Sequence, residues 1–154
     1  MSEDRARVVP LIALFRQTAR LMVDELIEGL RAAGYTDMTA AHHPVFESID
    51  PEGTRLTTLA ARTGMTHQSM GELVQMLERR GYLERKADPS DGRVSLVRLT
   101  AKGRRAVRQA VEEIARLEAA WLDRFERAGL DTDMRAVLEA GLRERDEERS
   151  ARDG

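Results

Sequence analysis

"TRLTTLAARTGMTHQSMGELVQMLERRGYLERKADPSDGRVSLVRLT", residues 54–100, sets two short helical patterns, a glycine turn and a strand-like hairpin in immediate succession. The spacing predicts a helix over Arg55–Arg62, apolar at Leu56, Leu59 and Ala60, that stops at Gly64. Thr66 stands where an N-cap belongs, and Met70, Leu73, Val74 and Leu77 form the inner face of the helix that follows. Gly81 occupies the C′ position of that helix. Two helices joined by a tight glycine turn read as a helix-turn-helix, whose second helix is free to enter a major groove. "YLERKAD" and "RVSLVRLT", rich in Val and Leu, then flank the turn Pro89, Ser90, Asp91, Gly92. A helix-turn-helix followed directly by a hairpin is a winged helix.

Outward from this segment, residues 8–30 repeat apolar side chains at three- and four-residue steps: Val8, Leu11, Ile12, Phe15, Ala19, Met22, Val23, Leu26 and Leu30. "AAGYTD" breaks that helix. "TAAHHPVFESI" fits a short one if Pro44 lies in its first turn, and "DPEGT" is a turn with Thr54 as the next N-cap. On the other side Thr100 caps a long helix with Val107, Ala110, Val111, Ile114, Leu117, Trp121 and Phe125 on one stripe. "AGLDTD" interrupts it, Met134, Val137, Leu138 and Leu142 mark a final helix, and "RERDEERSARDG" reads as a charged, frayed tail. The fold class is mainly α with a small β-wing. Its expected segments are an N-terminal helix (1–34), a winged lobe (35–100) and C-terminal helices (101–154).

The 154 residues suit one domain with a helical extension, and 42% hydrophobic with 34% charged residues describes a well-solvated helical chain. There is no cysteine, which removes disulfides, thiolate metal sites and a thiol switch. No apolar run approaches membrane-spanning length and "MSEDRARVVP" lacks a signal-peptide core, so no membrane partner is expected and the cytoplasm is the default location. The net charge of −2 hides a gradient. Residues 55–105 hold eleven basic and five acidic residues, a local excess of six positive charges inside a frame of minus eight. A basic middle in an acidic chain suggests one face built for a polyanion.

The hairpin explains the placement of Arg93. A wing beside a recognition helix reaches the flanking minor groove, whose narrow stretches concentrate negative potential and attract arginine. Asp91, two residues away, is positioned to hold the guanidinium in a fixed orientation. At the start of the second helix, Gln68 suits a bidentate pair with adenine, and Thr66 and Ser69 suit phosphate or base contacts. His67 reads equally as a phosphate or guanine-edge contact and as an exposed helix-start histidine. Arg55, Arg79 and Arg80 read as phosphate contacts. Glu72 reads either as an acceptor for cytosine or as a group that orients a neighbouring arginine.

"DGRVSLVRLTAKG" resembles the D-x-R-x-x-x-V-x-L-T-x-x-G wing signature of the MarR family of bacterial transcription regulators. "TTLAARTGMTHQSMGELVQMLERRGYLER" is similar to that family's helix-turn-helix, though Met70-Gly71-Glu72 stands where many members place a basic residue. The resemblance implies an obligate homodimer joined through helices 8–30, 101–127 and 131–148. It also implies double-stranded DNA with a pseudo-palindromic operator as partner. Repression is the expected sign of control, because a dimer covering promoter DNA blocks polymerase with no further contact, with activation as the alternative; no cofactor or metal is expected. A small phenolic or lipophilic anion as effector is implied as well, with Arg16, Tyr35, His42, His43 and Phe46 as candidate pocket residues. Independently, the stripes on the long helices carry more apolar surface than one winged helix covers. An enzyme is not expected, because no H-E-x-x-H pair, phosphate loop or nucleophile elbow is present. The remaining alternative is a winged-helix protein–protein adaptor, whose groove helix would be apolar and not lined with Thr-His-Gln-Ser.

Overall fold

The computed structural model describes residues 9–152. Val8, expected to open the first helix, lies outside them. Helix α1 runs Leu11–Ala32, with the Pro10 carbonyl accepting from Ala13 and Leu14. Proline suits this place because it lacks the N–H that a helix start leaves unpaired. Only Leu26, Ile27 and Leu30 of α1 are buried. A 3-10 turn (Ala40–His42) leads into α2 (His43–Ser48), and Pro44 sits in the first turn of α2, where it removes no hydrogen bond.

Thr54 is not the N-cap that the sequence suggested. It opens a two-residue strand, β1 (Thr54–Arg55), and its hydroxyl closes the preceding turn by accepting from Asp50 N–H at 2.8 Å. Helix α3 therefore spans Leu56–Thr63, and Gly64 follows with φ 66°, a left-handed conformation glycine adopts without strain. Helix α4 (His67–Arg79) starts at Thr66, whose Oγ1 accepts from the Ser69 N–H at 3.1 Å. After Gly81, strands β2 (Leu83–Asp88) and β3 (Asp91–Leu99) form the wing, and the sheet order is β1-β3-β2. Asp91 and Gly92, expected in the turn, belong to β3, so the connection is only Pro89-Ser90.

Leu59, Met70, Val74, Leu77 and Tyr82 are fully buried and tie the helix-turn-helix to the wing. Each such side chain contributes about 1.5–3 kcal/mol when removed from water. Helix α5 (Ala101–Arg127) begins at a tight joint: Thr100 Oγ1 donates to Gly81 O at 2.6 Å and accepts from Gly103 N at 3.0 Å. A Cβ on Gly103 would stand 2.2 Å from the Tyr82 carbonyl oxygen, so backbone contact demands glycine here.

Two compact units result, one up to Leu117 and one from Glu118. In the second, α6 covers Met134–Arg152 and buries no residue. The tail expected to fray continues α6 through its last turns, supported by opposite charges one turn apart such as Glu139 and Arg143. The first unit exposes Leu11, Ile12, Leu14 and Phe15 near the start of α1, and the second exposes Val137, Leu138 and Leu142 along α6.

Candidate nucleic-acid interface and ligand pocket

The first turn of α4 presents Thr66, His67, Gln68 and Ser69 to solvent. Thr66 and Ser69 are committed to each other: the cap bond is joined by Thr66 Oγ1 donating to Ser69 Oγ at 2.9 Å. That exchange fixes the turn and leaves the side chains of His67 and Gln68 projecting. Gln68 Nε2 donates to Glu72 Oε1 at 3.2 Å, one turn on. Glu72 thus orients a glutamine and not an arginine. The bond leaves the Gln68 amide oxygen and a second N–H available for the two-point contact adenine requires.

The wing brings two arginines and two carboxylates together. Arg93, with its side chain 91% exposed, donates through Nε to Asp91 Oδ1 at 3.1 Å, and its backbone N–H reaches the same oxygen. This arginine holds the Asp91 carboxyl below its ordinary value. Beside the wing turn Arg55 Nη2 donates to Asp88 Oδ2 at 2.8 Å, while Asp88 Oδ1 accepts from the Ser90 hydroxyl and amide. The Ser90 bond and then the Arg55 bond bring the Asp88 carboxyl down to about 2.

The other expected phosphate contacts divide. Arg79 is exposed. Arg80, its neighbour, is turned into the lobe, where Nη1 donates to the Asp37 carbonyl at 2.6 Å and stands 3.3 Å from His42 Nε2. Most of the basic excess is likewise matched locally: Arg62 to Asp50, Arg85 to Glu78, Lys86 to Glu84. Such surface pairs are worth about 0–1 kcal/mol, so a phosphate can replace the carboxylate at little cost. Two residues without a sequence signal hold this region together. Asp37 accepts from the buried Tyr82 hydroxyl at 2.5 Å, and Lys102 lies 4.0 Å from the Tyr82 ring centre. Burial first, then the bond to Asp37, pushes the Tyr82 hydroxyl well above its ordinary range.

A cavity of about 260 Å³ opens in the first unit, walled by α1, the Met38–Glu47 segment and α5. Leu26, Leu30, Phe46, Ala110 and Ile114 supply apolar walls; Thr39, His42, His43 and Glu47 are the polar members. Of the five residues the sequence offered, His42, His43 and Phe46 line it. Arg16 and Tyr35 do not. Arg16 is exposed on α1, whereas Tyr35 packs toward Tyr82 with ring centres 6.3 Å apart. His42, 1% exposed, takes the Thr39 N–H on Nδ1 at 3.1 Å and sets Nε2 against Met76 Sδ of α4 at 3.2 Å. Burial, then the nearby Arg80 charge, lowers its pKa. Among the described residues no cluster of His, Asp and Glu forms a metal site, and no helix is long and apolar enough to cross a membrane.

The family model for the MarR family matches residues 36–94, which span α2, the helix-turn-helix and the wing tip. No curated protein matches the chain. Among solved structures, the PcaV transcriptional regulator of Streptomyces coelicolor, in complex with its natural ligand, is 29% identical, with 96% of this chain and 97% of that one covered and a TM-score of 0.62. The reduced form of MarR from E. coli is 24% identical over 90% of this chain and 97% of that one, with a TM-score of 0.69. CouR from Rhodococcus jostii RHA1, bound to p-coumaroyl-CoA, is 21% identical over 93% and 92%, with a TM-score of 0.68. These structures share the winged-helix fold described above. Residues 36–94 thus carry the match to the MarR family, and the chain as a whole is similar in fold to winged-helix transcription regulators.

Proposed function

We propose that the protein is a ligand-responsive repressor that binds pseudo-palindromic operators as a homodimer. Gln68, with His67, Thr66 and Ser69 around it, reads the major groove from the start of α4. Arg93, held by Asp91, enters the minor groove, and Arg55 and Arg79 meet phosphates as their local partners yield. PcaV in complex with its natural ligand, and the repressor CouR bound both to p-coumaroyl-CoA and to a 23-mer DNA duplex, support this reading by likeness. The apolar face at the start of α1 and that of α6, each uncovered in its own unit, support a second copy as partner.

One observation carries the ligand response. His42 forms part of the cavity wall and touches Met76 of α4 with its other edge. A molecule that fills the cavity presses on this ring, and a rigid imidazole passes the displacement to the helix that reads DNA. Selection of bound duplexes from a random pool tests the reading. Two inverted half-sites about one helical turn apart are expected. Binding that falls steeply with added salt supports many phosphate contacts, whereas a flat response or no selected sequence overturns operator recognition.

A further inference from the structure

The outer face of α4 carries an acid on a surface that meets a polyanion. Met70, Val74 and Leu77 bury the inner face, while Gln68, Glu72, Gln75 and Arg79 are exposed on the opposite stripe. Base contacts come from the N-terminal half of a groove helix, which here holds Gln68 and Glu72. Glu72 Oε1 accepts from Gln68 Nε2 at 3.2 Å, so one turn of the helix sets an acid and an amide side by side. The bond uses one of about four acceptor positions on the carboxylate. Gly71 precedes Glu72, and a Cβ there would meet Leu56 at 3.7 Å, an ordinary contact. Packing therefore does not require this glycine, which costs helix stability relative to alanine. The space it leaves beside Glu72 lets α4 approach the floor of a groove.

A carboxylate is an acceptor only, and that limits what it can meet. Phosphates repel it. On the major-groove edge guanine offers N7 and O6 and thymine offers O4, all acceptors; the donors are the amino groups of cytosine and adenine. Adenine presents its amino group beside N7, a pair that suits the amide of Gln68, which has one acceptor and one donor to give. Cytosine presents N4 alone, which suits an acceptor-only group. Gln68 and Glu72 stand four residues apart, about 6 Å along the helix axis. Base pairs repeat at about 3.4 Å, so the two side chains address positions within about two steps of each other.

We infer that Glu72 is a specificity-determining residue: it reads one cytosine in each half-site, within about two base pairs of the adenine met by Gln68, and rejects guanine there. The inference rests on the operator-binding reading above and adds a base identity to it. Selection of duplexes from a random pool tests it, with the full-length protein and its Glu72→Ala and Glu72→Arg variants. The parent is expected to select cytosine at one position of each half-site. Glu72→Arg should select guanine at that position, because the guanidinium fork matches O6 and N7, and Glu72→Ala should lose the preference. On the parent's selected duplex, replacing that C·G pair by G·C should weaken the parent roughly tenfold or more in a gel shift, and Glu72→Ala less than about threefold. Glu72→Gln replaces the alanine variant if circular dichroism shows that alanine disturbs the fold, and it should select adenine. If parent and variants select the same bases throughout, or the position that changes is not cytosine in the parent, Glu72 does not read that base and operator recognition stands. If the parent selects no sequence, operator recognition falls and this assignment falls with it.

Discussion

The two compact units solve opposite problems. Up to Leu117 the chain buries Val45, Leu59, Met70, Val74, Leu77 and Tyr82 completely, and its polar groups are threaded through Asp37, Arg80 and Thr100. From Glu118 onward no described residue is buried, yet Val137, Leu138 and Leu142 are apolar and exposed. A domain core stabilises its own fold. An uncovered apolar face on a charged helix stabilises nothing until another surface meets it. Stability of the first unit and the proposed pairing through α6 rest on different residues, so substitutions can test one without the other.

The largest effect belongs to the joint of the first unit. Gly103→Ala drives a methyl group into the Tyr82 carbonyl, with backbone on one side and the start of α5 on the other. Neither can give way easily, so a loss of about 3 kcal/mol or more is expected. That corresponds to roughly 6–12 °C in melting temperature for a chain of this size. A variant that melts like the parent would mean the joint is looser than its geometry indicates.

Next comes the second unit. Val137→Asp combined with Leu142→Asp places charge on the exposed face of α6 without touching a buried side chain. The mass by light scattering is expected to fall to the single-chain value of 17.3 kDa, while circular dichroism of the lobe is retained. Operator affinity should fall roughly a hundredfold, because two half-sites no longer bind as one unit. A dimer that survives both charges would move the interface off α6.

Arg93→Ala is smaller and confined to the wing. Loss of one arginine contact costs about 1–2 kcal/mol in operator affinity and lowers the salt slope by about 1. Arg80→Ala provides the contrast. Its guanidinium bonds inside the lobe, so stability falls by about 1 kcal/mol with little change in salt slope. If the two variants behave alike in the gel shift, Arg80 is a phosphate contact after all.

This pair shows what could be read in the sequence and what could not. Arg79 and Arg80 are chemically identical neighbours; only Asp37, 43 residues away from Arg80, separates their roles, and no local pattern marks that contact. Thr66, Gly64, Gly81 and Thr100 were legible because helix caps are local chemistry. Strand β1 escaped notice because a two-residue strand has no period, and its partners Leu96 and Val97 lie some forty residues on. The winged lobe, the wing arginine and its aspartate follow from adjacent residues. Which candidates line the cavity depends on packing between distant helices, and Arg16 and Tyr35 stand outside its wall.

The smallest effect concerns the turn of the wing and appears only in acid. Asp88 carries bonds from Ser90 and Arg55 that exist for its charged form, so its folded value of about 2 lies below the ordinary 3.8. A depressed acid contributes stability that is complete above 3.8 and is lost as the pH falls from there toward 2. At neutral pH Asp88 stays ionised, and operator binding is expected to be insensitive to this group. Carbon-13 titration of the Asp88 carboxyl should give a midpoint below 3.8, moved upward by Ser90→Ala and, less strongly, by Arg55→Ala. The first-named bond is the larger cause, which fixes that order. An unshifted midpoint would show that the Arg55–Asp88 pair is open in solution, and Arg55 would then be as free to meet a phosphate as Arg79.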